Sequence, residues 1–233
     1  MTRLLEGPAT PWTDEQKVEQ LPADDKPDLS GFLILQDLRI IDLRSWTPED
    51  SRSGSGSFVY GYRRLKVQKR PENEANNLFR VSVLAYSPQT RVRFPSQPLN
   101  PTLYSRPLDS SRADKKLIHW EVGADFQKVP AGDSVDIVYE HLSPGVFLRE
   151  GVGSTGLSFD VEAETVELTR WLLLPQGTEY RSFDLIRYQT GKPETAEHVD
   201  VVTRYVAEDF TILAFKLLSL KAGYTYEITW FYR

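Results

Sequence analysis

Three histidines, His119, His141 and His198, are the only imidazoles in 233 residues, and there is no cysteine. Thiolate metal sites, disulfides and a cysteine nucleophile are therefore excluded. His119 and His141 fall on two strand-like runs that read as neighbours, so Glu121 or Glu140 could join them around a metal ion. A site of that kind needs three or four converging ligands, and the sequence offers no such cluster. Ser-His-Asp chemistry lacks the G-x-S-x-G elbow that would present the serine. Gly151-Val-Gly153-Ser-Thr-Gly156 matches G-x-G-x-x-G, but the alternation from Phe159 onward predicts a strand. A dinucleotide pyrophosphate needs a helix N-terminus at that point. Acidic residues number 33, too many for any carboxylate pair to stand out, and Asp136 and Glu227 read as solvated positions on the polar faces of their strands. The expectation is a protein without enzymatic activity, bound metal or cofactor.

The stretch with the most recognition chemistry runs from Phe58 to Arg70. On strand alternation Tyr60, Tyr62, Arg64, Lys66, Gln68 and Arg70 share one face. Rings beside cations could stack bases and hold phosphates. The same pattern also suits a solvated face whose cations pair with acidic neighbours and discourage edge pairing. Arg91 and Arg93 could extend the patch. The net charge of −5 favours the second reading, because nucleic-acid binders carry a basic footprint. A further contact set is Trp12, with Leu4, Leu5, Val18 and Leu21, on an N-terminal arm able to dock on a partner.

These residues must be positioned by strands. Tyr224, Tyr226, Ile228, Trp230 and Tyr232 fall at every second position and predict an aromatic strand face, which could be a carbohydrate-binding platform or core filling. Similar runs are expected at 32–46, 58–69, 78–86, 117–126, 134–141, 159–174, 180–188, 199–206 and 211–220. The runs at 117–126 and 134–141 read as a hairpin around Val129-Pro-Ala-Gly132. Prolines 95, 98, 101 and 107 predict a loop-like segment. A two-turn helix could form over 13–21, in what otherwise reads as a poorly ordered tail, and one helical turn could form at 195–197. No run approaches the ~18 apolar residues of a membrane-spanning helix, and no signal peptide is evident. With no disulfide, a cytoplasmic location is expected.

Ala131-Gly-Asp-Ser-Val-Asp-Ile-Val-Tyr139 lines up with Ala222-Gly-Tyr-Thr-Tyr-Glu-Ile-Thr-Trp230. Three further blocks match in the same order: 41–46 with 166–171, 62–67 with 180–185, and 117–120 with 212–215. This predicts an internal repeat. The expected fold is all-β: two tandem Ig-like sandwich units, or one large two-sheet sandwich, after an irregular arm. The boundaries are 1–28 for a partly disordered arm, 29–145 for the first unit, 146–158 for a Gly/Ser-rich linker and 159–233 for the second unit. The expected function is engagement of a protein partner through loops, a sheet edge and the arm. The alternatives are a carbohydrate-recognising or carbohydrate-active domain, or a single-stranded nucleic-acid contact through the Tyr60–Arg70 face.

Overall fold

The computed structural model describes residues 17–45, 58–72, 76–83, 87–96, 99–107, 118–144, 154–175, 180–200, 202–206 and 210–232. The regular structure among them is all strand. The first half carries β1 (Val18–Gln20), β2 (Phe32–Asp42), β3 (Phe58–Lys69), β4 (Leu78–Ser82), β5 (Arg91–Ser96), β6 (Thr102–Pro107), β7 (Ile118–Asp125) and β8 (Ser134–Pro144). The second half carries β9 (Ser154–Asp160), β10 (Thr165–Pro175), β11 (Tyr180–Gln189), β12 (Lys192–His198), β13 (Val202–Val206), β14 (Phe210–Leu220) and β15 (Tyr224–Tyr232). They form a seven-stranded central sheet, β13–β14–β10–β2–β3–β8–β5, and two four-stranded sheets, β1–β6–β7–β4 and β12–β11–β15–β9. The fold is all-β and sandwich-like, with three sheets.

β3 explains the stacking. Its odd residues, Val59, Arg63, Leu65, Val67 and Lys69, are buried, and Tyr60, Tyr62, Arg64, Lys66 and Gln68 are not. Leu65 and Val67 join a core with Phe32, Ile34, Phe79, Val122 and Phe126. Val59 joins a second core with Ile41, Leu43, Phe159, Phe215, Tyr226 and Trp230. A strand shows one face to its odd residues, so both four-stranded sheets lie on the same face of the central sheet. On β2 the register passes from Ile34 opposite Val67 to Gln36 opposite Lys66, which leaves Leu35 as a bulge. The bulge switches phase: Phe32 and Ile34 before it, and Asp37, Arg39 and Ile41 after it, all point inward.

Between the two cores lies a band of buried charge. Asp37 accepts hydrogen bonds from Arg39 at 2.6–3.1 Å and from Arg63 at 2.9 and 3.0 Å. Burial alone would push this carboxyl up, but the two guanidiniums outweigh it and hold it well below the usual range. Arg63 Nη1 also donates to the Ser82 carbonyl and the Tyr139 hydroxyl, at 3.0 and 3.1 Å. The Ser82 N–H donates to Glu162, in the turn between β9 and β10, at 3.1 and 3.2 Å. The free edge of β4 is thus capped by side chains from the central sheet and from the chain's second half.

Both cores draw on both halves of the chain, since Ile41, Leu43 and Val59 join the second core and Ala163 the first, and the halves share the central sheet through the parallel pair β2–β10. Several local expectations are corrected. β7 and β8 are not a hairpin, since β7 pairs with β6 and β4 while β8 pairs with β3 and β5. The turn at Gly132 (φ 87°) crosses from an outer sheet to the central one, and the turn at Gly223 (φ 87°) crosses in the opposite sense. A left-handed glycine suits both arches, which accounts for the shared Ala-Gly signature. Of the matched blocks, one pair lies on β2 and β10, both central, while the others occupy different layers: β3 and β8 are central and β7 outer, but their counterparts β11 and β15 are outer and β14 central. Residues 18–20 are strand rather than helix, as are 195–197, and residues 102–107 of the proline-rich stretch form β6. The first expected linker residues lie outside the described residues, and 154–158 belong to β9.

Gly61 pairs with His141, and a Cβ on Gly61 would stand 2.0 Å from the imidazole. Gly61→Ala is expected to lower the unfolding free energy by about 1–3 kcal/mol, as overpacking does, and His141→Ala to recover part of that loss. Denaturant melts of the single and double variants check this. Burial, and secondarily the Arg63 charge, lowers the His141 pKa to about 4. The folded state then binds fewer protons than the unfolded one below pH 6.5, so stability falls as pH drops through that window. From pH 7 to pH 5 this group alone is expected to cost about 2 kcal/mol. A His141→Gln variant measured by the same melts should show the flatter profile.

Candidate functional site

The outward face of the central sheet, which no described strand covers, collects the sequence's recognition residues. The residues directly opposite one another read, across the sheet, Thr203, Ala214, Trp171, Ile40, Tyr62, Glu140 and Arg93. The row on one side reads Tyr205, Ile212, Leu173, Asp42, Tyr60, Leu142 and Arg91. The row on the other side brings Lys216, Thr169, Leu38, Arg64 and Val138 together. Every described strand belongs to one of the three sheets, and none covers this face. Ile40 and Leu173 are nonetheless buried, while Trp171, Tyr60, Tyr62 and Leu38 are half-buried. Towards the β13–β14 edge, Tyr205 and Leu218 are 55% and 65% exposed.

The charges of the face are organised in cross-strand pairs. Arg64 bonds Asp136 at 2.9 Å, Lys216 bonds Glu167 at 2.7 Å, and Arg93 bonds Glu140. Tyr60 hydrogen-bonds Glu140, and burial together with that carboxylate raises its pKa, so the phenol keeps its proton. The Tyr62 pKa is also raised, chiefly by burial. A shallow depression of about 160 Å³ is lined by Gln36, Leu38, Arg64, Lys66, Glu167 and Thr169. Among the described residues, the strip over β3, β8 and β5 carries Arg64, Lys66, Arg91 and Arg93 with Asp136 and Glu140.

Of the expected site residues, Tyr60, Tyr62, Arg64 and Lys66 share this face. Arg70 does not continue it: it follows the end of β3 and ion-pairs with Glu164. Trp12 lies outside the described residues. The described part of the arm is engaged within the chain: β1 pairs with β6, Val18 packs on the first core, and Arg80 donates to Asp25 at 2.7 and 3.1 Å. Trp171, Ile40 and Leu38 were not expected in the site. The signal for them was the apolar content on both faces of 32–43 and 171–174, which implies two apolar environments.

The other chemistries weighed from the sequence are not assembled among the described residues. His119 is in an outer sheet and His141 in the central one, and no group of three or more potential metal ligands occurs among the described residues. Ser82 Oγ lies 3.1 Å from His119 Nε2 but donates its proton to Glu162. Glu121 Oε1 lies 3.4 Å from the same imidazole nitrogen, whereas a triad holds its serine and carboxylate on opposite ring nitrogens. Tyr226 and Trp230 are buried in the second core, which removes that strand as an aromatic platform.

No family model and no curated protein matches the chain. Among solved structures, a candidate protease from Parabacteroides distasonis is similar over 87% of this chain, at 10% identity and a TM-score of 0.51. This chain covers 40% of that one. A candidate nutrient-binding protein from Legionella pneumophila is similar over 91% of this chain and 70% of its own, at 8% identity and a TM-score of 0.50. At such identities the likeness is one of fold. No helix among the described residues is long and apolar enough to cross a membrane.

The Arg64–Asp136 pair is about half exposed on both sides, a setting in which ion pairs contribute little. Arg64→Ala is expected to lower stability by less than about 1 kcal/mol in thermal melts. The face can then be altered without unfolding the chain.

Proposed function

We propose that the chain is a non-catalytic protein-binding module whose contact surface is the outward face of the central sheet. The observation that carries this reading is the row Trp171–Ile40–Tyr62, with Leu38 and Tyr60 beside it, on a face with no described strand above it. Tryptophan, tyrosine and arginine around an apolar centre make up the composition of interface hot spots. The arm contributes to the chain's own outer sheet, so the face takes precedence over it in this reading.

The test places a photo-crosslinking residue at position 62 and, as a control, at Thr195 on exposed β12. The captured protein is then purified and titrated calorimetrically. Leu38→Glu and Trp171→Ala are each expected to weaken binding at least about tenfold, the loss of a typical anchor. Equal crosslinking at both positions, or unchanged affinity in both variants, overturns the reading. Tight binding of a single-stranded oligonucleotide by the wild type, lost in Arg64→Glu, would replace it with the nucleic-acid alternative.

A further inference from the structure

Arg170, on the inward face of the central sheet, is fully buried, and its Nε, Nη1 and Nη2 have no hydrogen-bond partner. Its guanidinium carbon stands 3.7 Å from the centre of the Phe159 ring, sealed between layers. The outward face holds an unpartnered cation that another molecule can reach, Lys66. One row across that face reads Leu218, Glu167, Gln36, Lys66 and Asp136, and the next reads Lys216, Thr169, Leu38, Arg64 and Val138. Asp136 stands directly opposite Lys66, yet Arg64 holds it, Nε and Nη2 donating to its two oxygens at 3.3 and 2.9 Å. A guanidinium fork matches both carboxylate oxygens at once, whereas an ammonium acts as a point charge. Glu167 is held in turn by Lys216 at 2.7 Å. Among the described residues, Lys66 forms no hydrogen bond or ion pair through its side chain.

Lys66 is also partly buried, and it lines the depression of about 160 Å³ just past the Leu35 bulge. Partial burial strips water from a cation and raises the gain from a counter-charge. Half-buried Leu38 gives the depression an apolar wall, and Gln36 and Thr169 bring side-chain donors that are likewise unengaged among the described residues. At roughly 30 Å³ per water, the space suits one side chain of about five heavy atoms. The Leu38–Arg64 row lies directly beside the Trp171–Ile40–Tyr62 row, so the depression continues the proposed contact surface.

We propose that the protein partner of this face inserts a glutamate or aspartate side chain into the depression, with its carboxylate on the Lys66 ammonium. Gln36 and Thr169 donate to the same carboxylate, and its methylenes lie against Leu38. Asp136 and Glu167, each already paired, flank the site and disfavour a second negative charge, so a side-chain carboxylate fits better than a phosphoryl dianion. The inference rests on the outward face being a protein-contact surface, and it names the group that the partner contributes there.

The experiment uses the full-length chain and the protein captured by crosslinking at position 62. Carbodiimide coupling joins an amine to a carboxylate in direct contact with it, so mass spectrometry of the treated complex is expected to find Lys66 joined to an acidic residue of the captured protein. In calorimetric titrations Lys66→Met is expected to bind about tenfold more weakly, the loss of one charged hydrogen bond. Lys66→Arg, which keeps the charge, should bind within about threefold of wild type, and the affinity of Lys66→Met should depend less on salt. Lys66 has no partner in the free chain, so Lys66→Met should leave the melting temperature unchanged and its weaker binding is not unfolding. Unchanged affinity in Lys66→Met, with Trp171→Ala still weakening binding, overturns this inference and leaves the protein-binding reading standing. So does coupling of Lys66 only to Asp136 or Glu167 of its own chain. Inorganic phosphate displacing the captured protein better than free glutamate at equal ionic strength also overturns it. Failure to capture any protein at position 62 overturns both.

Discussion

The Asp37 carboxylate, clamped between Arg39 and Arg63, is the interaction on which the arrangement depends. It sits where the two cores meet on the inner face of the central sheet. An apolar band at that point would have allowed the outer sheets to slide relative to one another with little change in buried area. Directional bonds do not allow this. Arg63 binds the Ser82 carbonyl of one outer sheet, and Ser82 in turn binds Glu162 in the turn leading out of the other. Charged groups in such a place contribute less to net stability than to fixing which arrangement forms, because leaving any one of them unpaired costs several kcal/mol.

The central sheet has two unlike faces as a consequence. Inward, it presents two apolar fields separated by charge. Outward, it presents rings and aliphatic side chains around buried Ile40 and Leu173, bordered by ion pairs. The cross-strand pairs keep the outward face soluble and hold its edge residues in fixed register. The inward face is screened, so a single unmatched guanidinium there has a far larger electrostatic effect than any surface arginine. The outward and inward faces of the sheet thus hold their cations in different dielectric settings.

How much of this was legible depends on the period of the sequence. Alternation in 58–69 and 224–232 determined that these are strands, and it put Tyr60, Tyr62, Arg64 and Lys66 on one face, because strand side chains alternate whatever the sheet does. It also pointed to core filling by Tyr226 and Trp230. The same alternation misassigned the partners of strands. A turn such as 129–132 looks alike whether it closes a hairpin or crosses between layers, since both need a glycine at positive φ.

By itself, then, the sequence determined the fold class, most of the strands and the composition of the outward face. Only the tertiary structure decided the three-sheet layering, the parallel meeting of β2 and β10 and the convergence of Asp37, Arg39, Arg63 and Arg170. In the sequence those four are separate polar residues in three strands, with nothing to mark them as buried. Burial is a property of what packs above a strand, and for this chain that depends on a one-residue bulge at Leu35 and on pairings between residues more than a hundred positions apart.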